Sequence, residues 1–261
     1  MVVTKDGSAI KKMAKAGALL GQIFELLGSH IVPGATTAEI DTWIERELQD
    51  RDLRSETKGY MGYVHVSCIS VNDAVVHGVP SDCQRLKDGD VVSVDVCASW
   101  NGYCADMART FFVGAVSQDA ERFVAVAQQA LDAGIKQARP GNRLSDISAA
   151  IQRFVEKHGY GVVRDFAGHG IGRDMHEEPE ILNYGKPGRG PVLRAGMTLA
   201  IEPMITMNGY AVHVTDDGWT VMTDDGGLAA HVEDTVLVAE NGPRVLTRGC
   251  DDLVNPGVEQ I

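Results

Sequence analysis

No apolar run in this 261-residue chain approaches the roughly 18 residues of a membrane span, which argues against a transmembrane helix or a membrane partner. Basic runs are missing too. The formal net charge of −12 is spread along the chain, which argues against nucleic acid, DNA included, as a main partner. The N-terminus, Met1-Val2-Val3-Thr4-Lys5-Asp6, lacks the charged and apolar regions of a secretory signal. The five cysteines, at 68, 83, 97, 104 and 250, are odd in number and never in CxxC spacing. That pattern opposes a disulfide scaffold or a zinc ribbon and reads as reduced thiols. A cytoplasmic protein is the expectation.

With 44% hydrophobic residues the chain can bury a sizeable core. It also repeats itself. Leu86-Lys87-Asp88-Gly89 and Leu193-Arg194-Ala195-Gly196 each open a segment in which an apolar run ends on a carboxylate nine residues after the leucine, Asp95 in one copy and Glu202 in the other. The offset, 193 − 86 = 107, recurs upstream: Pro33-Gly34, Ile40, Ile44 and Leu48 are matched by Pro140-Gly141, Ile147, Ile151 and Val155. Two segments sharing one offset argue for an internal duplication. We expect one domain over 1–248, with halves of roughly 8–114 and 115–248 and a C-terminal tail at 249–261.

Each half reads as two helices followed by strands. Helical spacing of Ile10, Met13, Leu20, Ile23 and Leu27 predicts a helix over about 8–27 with Ser8 as N-cap. Thr36-x-x-Glu39 resembles a capping box before a helix that buries Ile40, Trp43, Ile44 and Leu48. Strands are expected at 63–71, 91–98 and 109–114. The second half has helices at about 118–137 and 145–157, then strands near 162–167, 197–206, 209–215, 219–223 and 229–239. Asp217-Gly218 and Asp225-Gly226 mark turns of an antiparallel meander. The fold class is α+β, with helices on one face of a curved, mostly antiparallel sheet.

Four acids, Asp95, Asp106, Glu202 and Glu233, sit on or at the ends of these strands, and a His-Gly pair precedes each template, at His77-Gly78 and His169-Gly170. A single acid at a strand end is ordinarily solvated. Four converging from core strands repel one another strongly, and a pair of divalent cations removes that repulsion, because carboxylates can bridge two metals about 3.5–4 Å apart. Mixed oxygen and imidazole donors suit Mn, Fe, Co or Zn better than Ca. The physical inference is a dinuclear hydrolytic site.

The motifs are specific. They are Ser70-Val71-Asn72 leading to His77-Gly78-Val79-Pro80, Asp95 and Asp106 eleven apart, Gly168-His169-Gly170-Ile171-Gly172 followed by His176-Glu177, Ile201-Glu202-Pro203-Met204, and His231-Val232-Glu233-Asp234-Thr235. With them, the chain from about residue 11 to 247 resembles the bacterial (type I) methionine aminopeptidases, which have the pita-bread fold with pseudo-twofold halves. The resemblance implies a hydrolase, a metallo-exopeptidase that removes the initiator Met from nascent polypeptides before a small second residue. It implies that Asp95 holds one metal, that His169 and Glu202 hold the other, and that Asp106 and Glu233 bridge them. Glu202 is then the general base or proton shuttle, and His77 and His176 contact the substrate and stabilise the tetrahedral intermediate. Tyr60, Tyr63, Cys68, Met175 and Trp219 match pocket positions. Asn72 matches a monovalent-cation site (Na or K). A monomer with transient ribosome contact is also implied.

The chain departs from the family's usual residues at Val64, where proline is common, and at Thr57 and Met175, where Cys and an aromatic are frequent. Cys97, two residues past Asp95 on its strand face, is expected to be a small core thiol. His231 shares a face with Glu233 by the same spacing, and a place behind the ligands is the less favoured reading. His30, His65, His158 and His213 are expected at the surface. A proline-directed peptidase of the same fold usually carries a large extra N-terminal domain, and a non-catalytic ribosome-associated homologue typically has broken ligands. Neither pattern fits the first helix, predicted from about residue 8, or the complete ligand set.

Overall fold

The computed structural model describes residues 2–248, so the expected tail at 249–261 lies outside the described residues. In the first half, α1 (Gly7–Leu27) and α2 (Thr37–Asp50) precede β1 (Arg54–Ser55), a 3-10 turn at Tyr60–Gly62, β2 (Cys68–Val71), β3 (Ala74–Val76), β4 (Val91–Trp100) and β5 (Tyr103–Phe112). In the second, α3 (Gln118–Ile135) and α4 (Leu144–Lys157) precede β6 (Gly161–Val162), β7 (Ala167–Gly170), β8 (Glu177–Leu182), β9 (Thr198–Ile201) and β10 (Met204–Thr206). The chain then forms β11 (Val212–Val214), β12 (Val221–Thr223), β13 (Ala229–His231), β14 (Glu233–Ala239) and β15 (Gly242–Val245). No described helix is long and apolar enough to cross a membrane.

Helix starts follow local chemistry. Thr36 and Glu39 form the capping box, Glu39 N–H donating to Thr36 Oγ1 at 3.2 Å and Thr36 N–H to Glu39 Oε2 at 2.7 Å. The α1 cap is Asp6 rather than Ser8: its carboxylate accepts Ala9 N–H at 2.8 Å, so the helix starts at Gly7.

The architecture is α+β, a curled antiparallel sheet with four helices, as expected. Its main sheet runs β1-β4-β5-β14-β9-β7-β8, with β2 on β4 and β15 on β14. The two halves meet at β5–β14, where Glu233 pairs with Ala108 and Asp234 with Met107. Side chains alternate across each strand. On β4, Val92, Val94, Val96 and Ala98 pack in one core with Leu20, Ile23, Ile40 and Ile44 of the first two helices. Ser93, Asp95 and Cys97 therefore face the other way. On β14 and β9, Val236, Val238, Leu199 and Ile201 pack with Phe123, Leu131 and Ile147 of the last two helices.

Several strands differ from expectation. The 63–71 strand shrinks to β2, because 65–67 is held by Asp41 instead of a ladder: its Oδ1 accepts Val66 N–H, Ser67 N–H and Ser67 Oγ–H at 3.1, 3.0 and 2.7 Å. The expected 109–114 strand starts at Tyr103, since a turn at Asn101-Gly102 folds β4 and β5 into one long hairpin. The 197–206 strand breaks at Glu202-Pro203, where proline has no ladder donor. Strand β8, rich in Glu and containing Pro179, carries no alternation that would reveal it and is an edge strand.

Candidate metal centre

The register of the sheet gathers the acids. Asp95 on β4 and Glu233 on β14 both lie opposite Ala108 on the intervening β5, and Asp106 sits two residues from Ala108 on the same face. On the far side, His169 of β7 pairs with Ala200 of β9, whose next residue on that face is Glu202. Thr235 locks the seam: its hydroxyl accepts Asp106 N–H at 2.8 Å and donates to Asp106 O at 2.9 Å. Asn183 Nδ2 holds Glu202 O at 2.9 Å.

All twelve predicted site residues line one cavity of about 330 Å³. Asp95, Asp106, His169, Glu202 and Glu233 share it with His77 and His176, and Tyr60, Tyr63, Cys68, Met175 and Trp219 complete that set. Tyr63 packs its ring against Trp219 with centroids 4.9 Å apart, and its hydroxyl donates to Ser67 O at 3.0 Å. Cys97 is the buried core thiol expected, packed with Met13, Ala14 and Cys104, and it also lines the same cavity, opposite Asp106 across the hairpin. Phe166, Val76, Ala167, Met61 and Met204 also line it. Met204 closes the Ile201-Glu202-Pro203-Met204 motif without being read as a cavity residue, and no motif marks the other four, although Phe166 meets the His77 ring edge-on at 5.5 Å.

Of the remaining histidines, His158 and His213 are exposed as expected. His30 stacks on Trp43 at 4.1 Å, which leaves both rings partly covered. His65 differs, being half-buried with Nδ1 2.9 Å from Asp41 Oδ2. Asn72 lies outside the cavity, in the turn between β2 and β3 at φ 57°. Its side chain bonds Asp90 Oδ1 and Val91 N–H at 2.9 and 3.0 Å.

The electrostatics of the site favour a bound cation. Asp95, Glu202 and Glu233 have carboxyls pushed well above the usual range, first by burial and then by Asp106, with Glu202 adding to the shift of Asp95 and of Glu233. Burial also raises Asp106. Glu233 Oε1 has no hydrogen-bond partner. His231 Nε2 lies 3.3 Å from Glu202 Oε2 but out of hydrogen-bonding direction, and it too is unpartnered. His169 Nδ1 lies 3.0 Å from Gly170 O, so Nδ1 carries the proton and Nε2 presents a lone pair. That lone pair faces Glu202 Oε1 at 3.5 Å and Asp106 Oδ2 at 4.0 Å, a repulsive arrangement until a cation sits between them. Ligand atoms of Asp106, His169 and Glu233 all lie within 4.8 Å of one another. These donors fit divalent metal ions of the kind that take mixed oxygen and imidazole ligands.

The histidines are held neutral. Burial lowers His169 to about 3 and His77 and His231 to about 4. Burial also lowers His176, whose Nδ1 is 3.1 Å from the Tyr60 hydroxyl and whose ring centroid is 4.4 Å from that of His169.

Residues 11–240 match the metallopeptidase family M24. A methionine aminopeptidase of Clostridium perfringens is 48% identical over 247 residues, 95% of this chain and 99% of that protein. The crystal structure of methionine aminopeptidase from Thermotoga maritima superposes with a TM-score of 0.93 at 44% identity, over 95% of this chain and all of that one. Prolidase from Pyrococcus furiosus shares the architecture more distantly, with a TM-score of 0.74 at 25% identity, over 94% of this chain and 65% of the prolidase. The fold is the pita-bread fold common to these enzymes. The chain belongs to metallopeptidase family M24 and groups with its bacterial methionine aminopeptidases.

Proposed function

We propose that this protein removes the N-terminal, initiator Met from nascent polypeptides whose second residue is small. The observation that carries the reading is the convergence of four carboxylates, Asp106 and Glu233 buried and Asp95 and Glu202 half-buried, with the His169 lone pair in an apolar cavity walled by Tyr63, Cys68, Met175 and Trp219. Such a wall suits an unbranched thioether side chain.

Two divalent cations would be held by Asp95, Asp106, His169, Glu202 and Glu233. When bound they supply Lewis-acid polarisation of the scissile carbonyl and acidification of water. The chain does the rest. Glu202, facing the cavity beside His169 and His231, takes the proton from the attacking water and passes it to the departing amine. His176 has its Nδ1 3.1 Å from the Tyr60 hydroxyl; with that hydroxyl donating to Nδ1, the imidazole would carry its proton on Nε2 and donate it to the developing oxyanion. His77, neutral and packed on Phe166, supplies a second substrate-side donor.

The same reading takes 1–248 as one catalytic domain, because donors from both halves meet across the β5–β14 seam. It includes a monovalent cation near Asn72 and a cytoplasmic monomer that touches the ribosome only transiently.

The test is release of Met from Met-Ala- and Met-Leu-peptides with and without added Mn or Co. Metal-dependent release from Met-Ala alone supports the proposal. Metal-independent release, or turnover unchanged in Glu202→Ala, overturns it, and preference for Xaa-Pro substrates points to the prolidase reading.

A further inference from the structure

The connection between β7 and β8, residues 171–176, carries Met175 and His176 into the cavity, and it is pinned from beneath by groups with no place in the chemistry above. Cys104 N–H donates to Gly172 O at 2.7 Å, and the Cys104 thiol faces Arg173 O at 3.4 Å. Arg173 N–H donates to Glu177 Oε1 at 2.8 Å. The other oxygen of Glu177 receives Lys5 Nζ at 2.7 Å. Lys5 comes from the N-terminal arm, whose backbone is fixed by Lys5 N–H donating to Gly196 O at 2.7 Å.

The ion pair is enclosed, its side chains only 5% and 15% exposed, unlike the surface pairs that contribute little. Gly172 makes room for it: a Cβ there would run into the Glu177 carboxylate and the Lys5 stem. The Gly172 backbone is not in the left-handed region, so the requirement for glycine is one of space.

We propose that Lys5 is a positioning residue for His176, acting through Glu177. The N-terminal arm ties down the carboxylate that closes the 173–177 turn, and this sets where the His176 ring stands relative to His169 and Tyr60. The inference rests on the substrate-side role proposed for His176. Lys5 itself lies outside the catalytic cavity and touches no reacting group.

The experiment is a double-mutant cycle on Met-Ala-Ser hydrolysis by the Mn-loaded enzyme. Lys5→Met is expected to lower kcat/KM about 10-fold, Lys5→Arg to recover most of that loss, and Gly172→Ala, which keeps both charges but displaces them, to resemble Lys5→Met. In a His176→Ala background, Lys5→Met should cost less than about 2-fold, because the residue it positions is gone. An equal loss in both backgrounds, or no loss with His176 present, overturns the proposal. Amide hydrogen exchange reads the strut without activity: Lys5→Met should expose the Arg173 amide while the β7 and β9 amides keep their protection. Uniform loss of protection, or an unchanged Arg173 amide, also overturns it. A wild-type enzyme that releases no Met overturns the function proposed above and leaves the exchange result to decide the strut.

Discussion

Glu233 and Asp234 are neighbours in the chain, both essentially inaccessible, and they face opposite sides of β14 with opposite fates. Asp234 meets Arg109 Nη2 at 2.6 Å, Arg248 Nη2 at 2.6 Å and the Thr247 hydroxyl at 2.7 Å. Glu233 meets other carboxylates, and its Oε1 has no hydrogen-bond partner. The chain supplies the cations for one acid and leaves the other to be neutralised from outside.

The two acids should therefore answer mutation in opposite ways. Asp234→Asn breaks a buried pair and should cost about 3 kcal/mol of stability. Glu233→Gln removes like-charge repulsion, so the metal-free protein should melt no lower than wild type, while the rise in Tm on adding Mn is lost and peptide turnover falls about 100-fold. Thermal melts with and without metal check both, and a destabilised metal-free Glu233→Gln would count against the repulsive cluster.

Metal binding should release protons. The carboxyls of Asp95, Glu202 and Glu233 are raised in the folded, metal-free protein. From about pH 4, where unfolded carboxyls ionise, up to those raised values, the folded state holds protons that the unfolded state has lost. Their stabilising contribution is complete below that window and disappears as pH rises through it. A cation needs the carboxylates bare, so affinity and the Tm gain from Mn should both increase with pH. Titration calorimetry in buffers of different ionisation enthalpy measures the protons directly. Proton uptake would reverse the sign.

Asp41 shapes the pocket from a distance. Its carboxylate accepts three bonds from 66–67 and faces His65, next to the Tyr63 wall. Asp41→Ala leaves buried donors unpaired and should cost on the order of 3 kcal/mol, with a higher KM for Met-peptides as Tyr63 shifts. Denaturant melts and steady-state kinetics test the pair of effects.

Tyr63 is expected to work as a ring and not as an acid, since burial drives its phenol far above the usual range. Tyr63→Phe loses the bond to Ser67 O and should cost about 1 kcal/mol of stability while changing kcat/KM by less than about 3-fold. Tyr63→Ala should lower kcat/KM about 10-fold through lost apolar contact. Equal damage from both variants would assign the hydroxyl a role in turnover.

Much of this molecule was legible in one dimension. Helices announce themselves through spacing and caps, and the repeated template put Asp95 and Glu202 at equivalent positions, although Asp95 lies mid-strand in β4 while Glu202 follows the end of β9. Strand β8 and the start of β5 were not legible, because an edge strand carries no alternation and a hairpin turn can lengthen both its strands. Cys97 shows the same limit: two-residue spacing gives its face, but not that this face lines a cavity.

The sequence by itself determined which residue types could meet: acids ending apolar runs, His-Gly pairs, and two halves written to one plan. Only the tertiary structure decided which acids did meet. Asp95 and Glu233 converge because β4 and β14 flank β5 in a register that sets both opposite Ala108. Asp234, one residue away, is turned to the helical side and paired with arginines. Strand alternation is a local property, but the neighbour that each face receives is set by long-range packing.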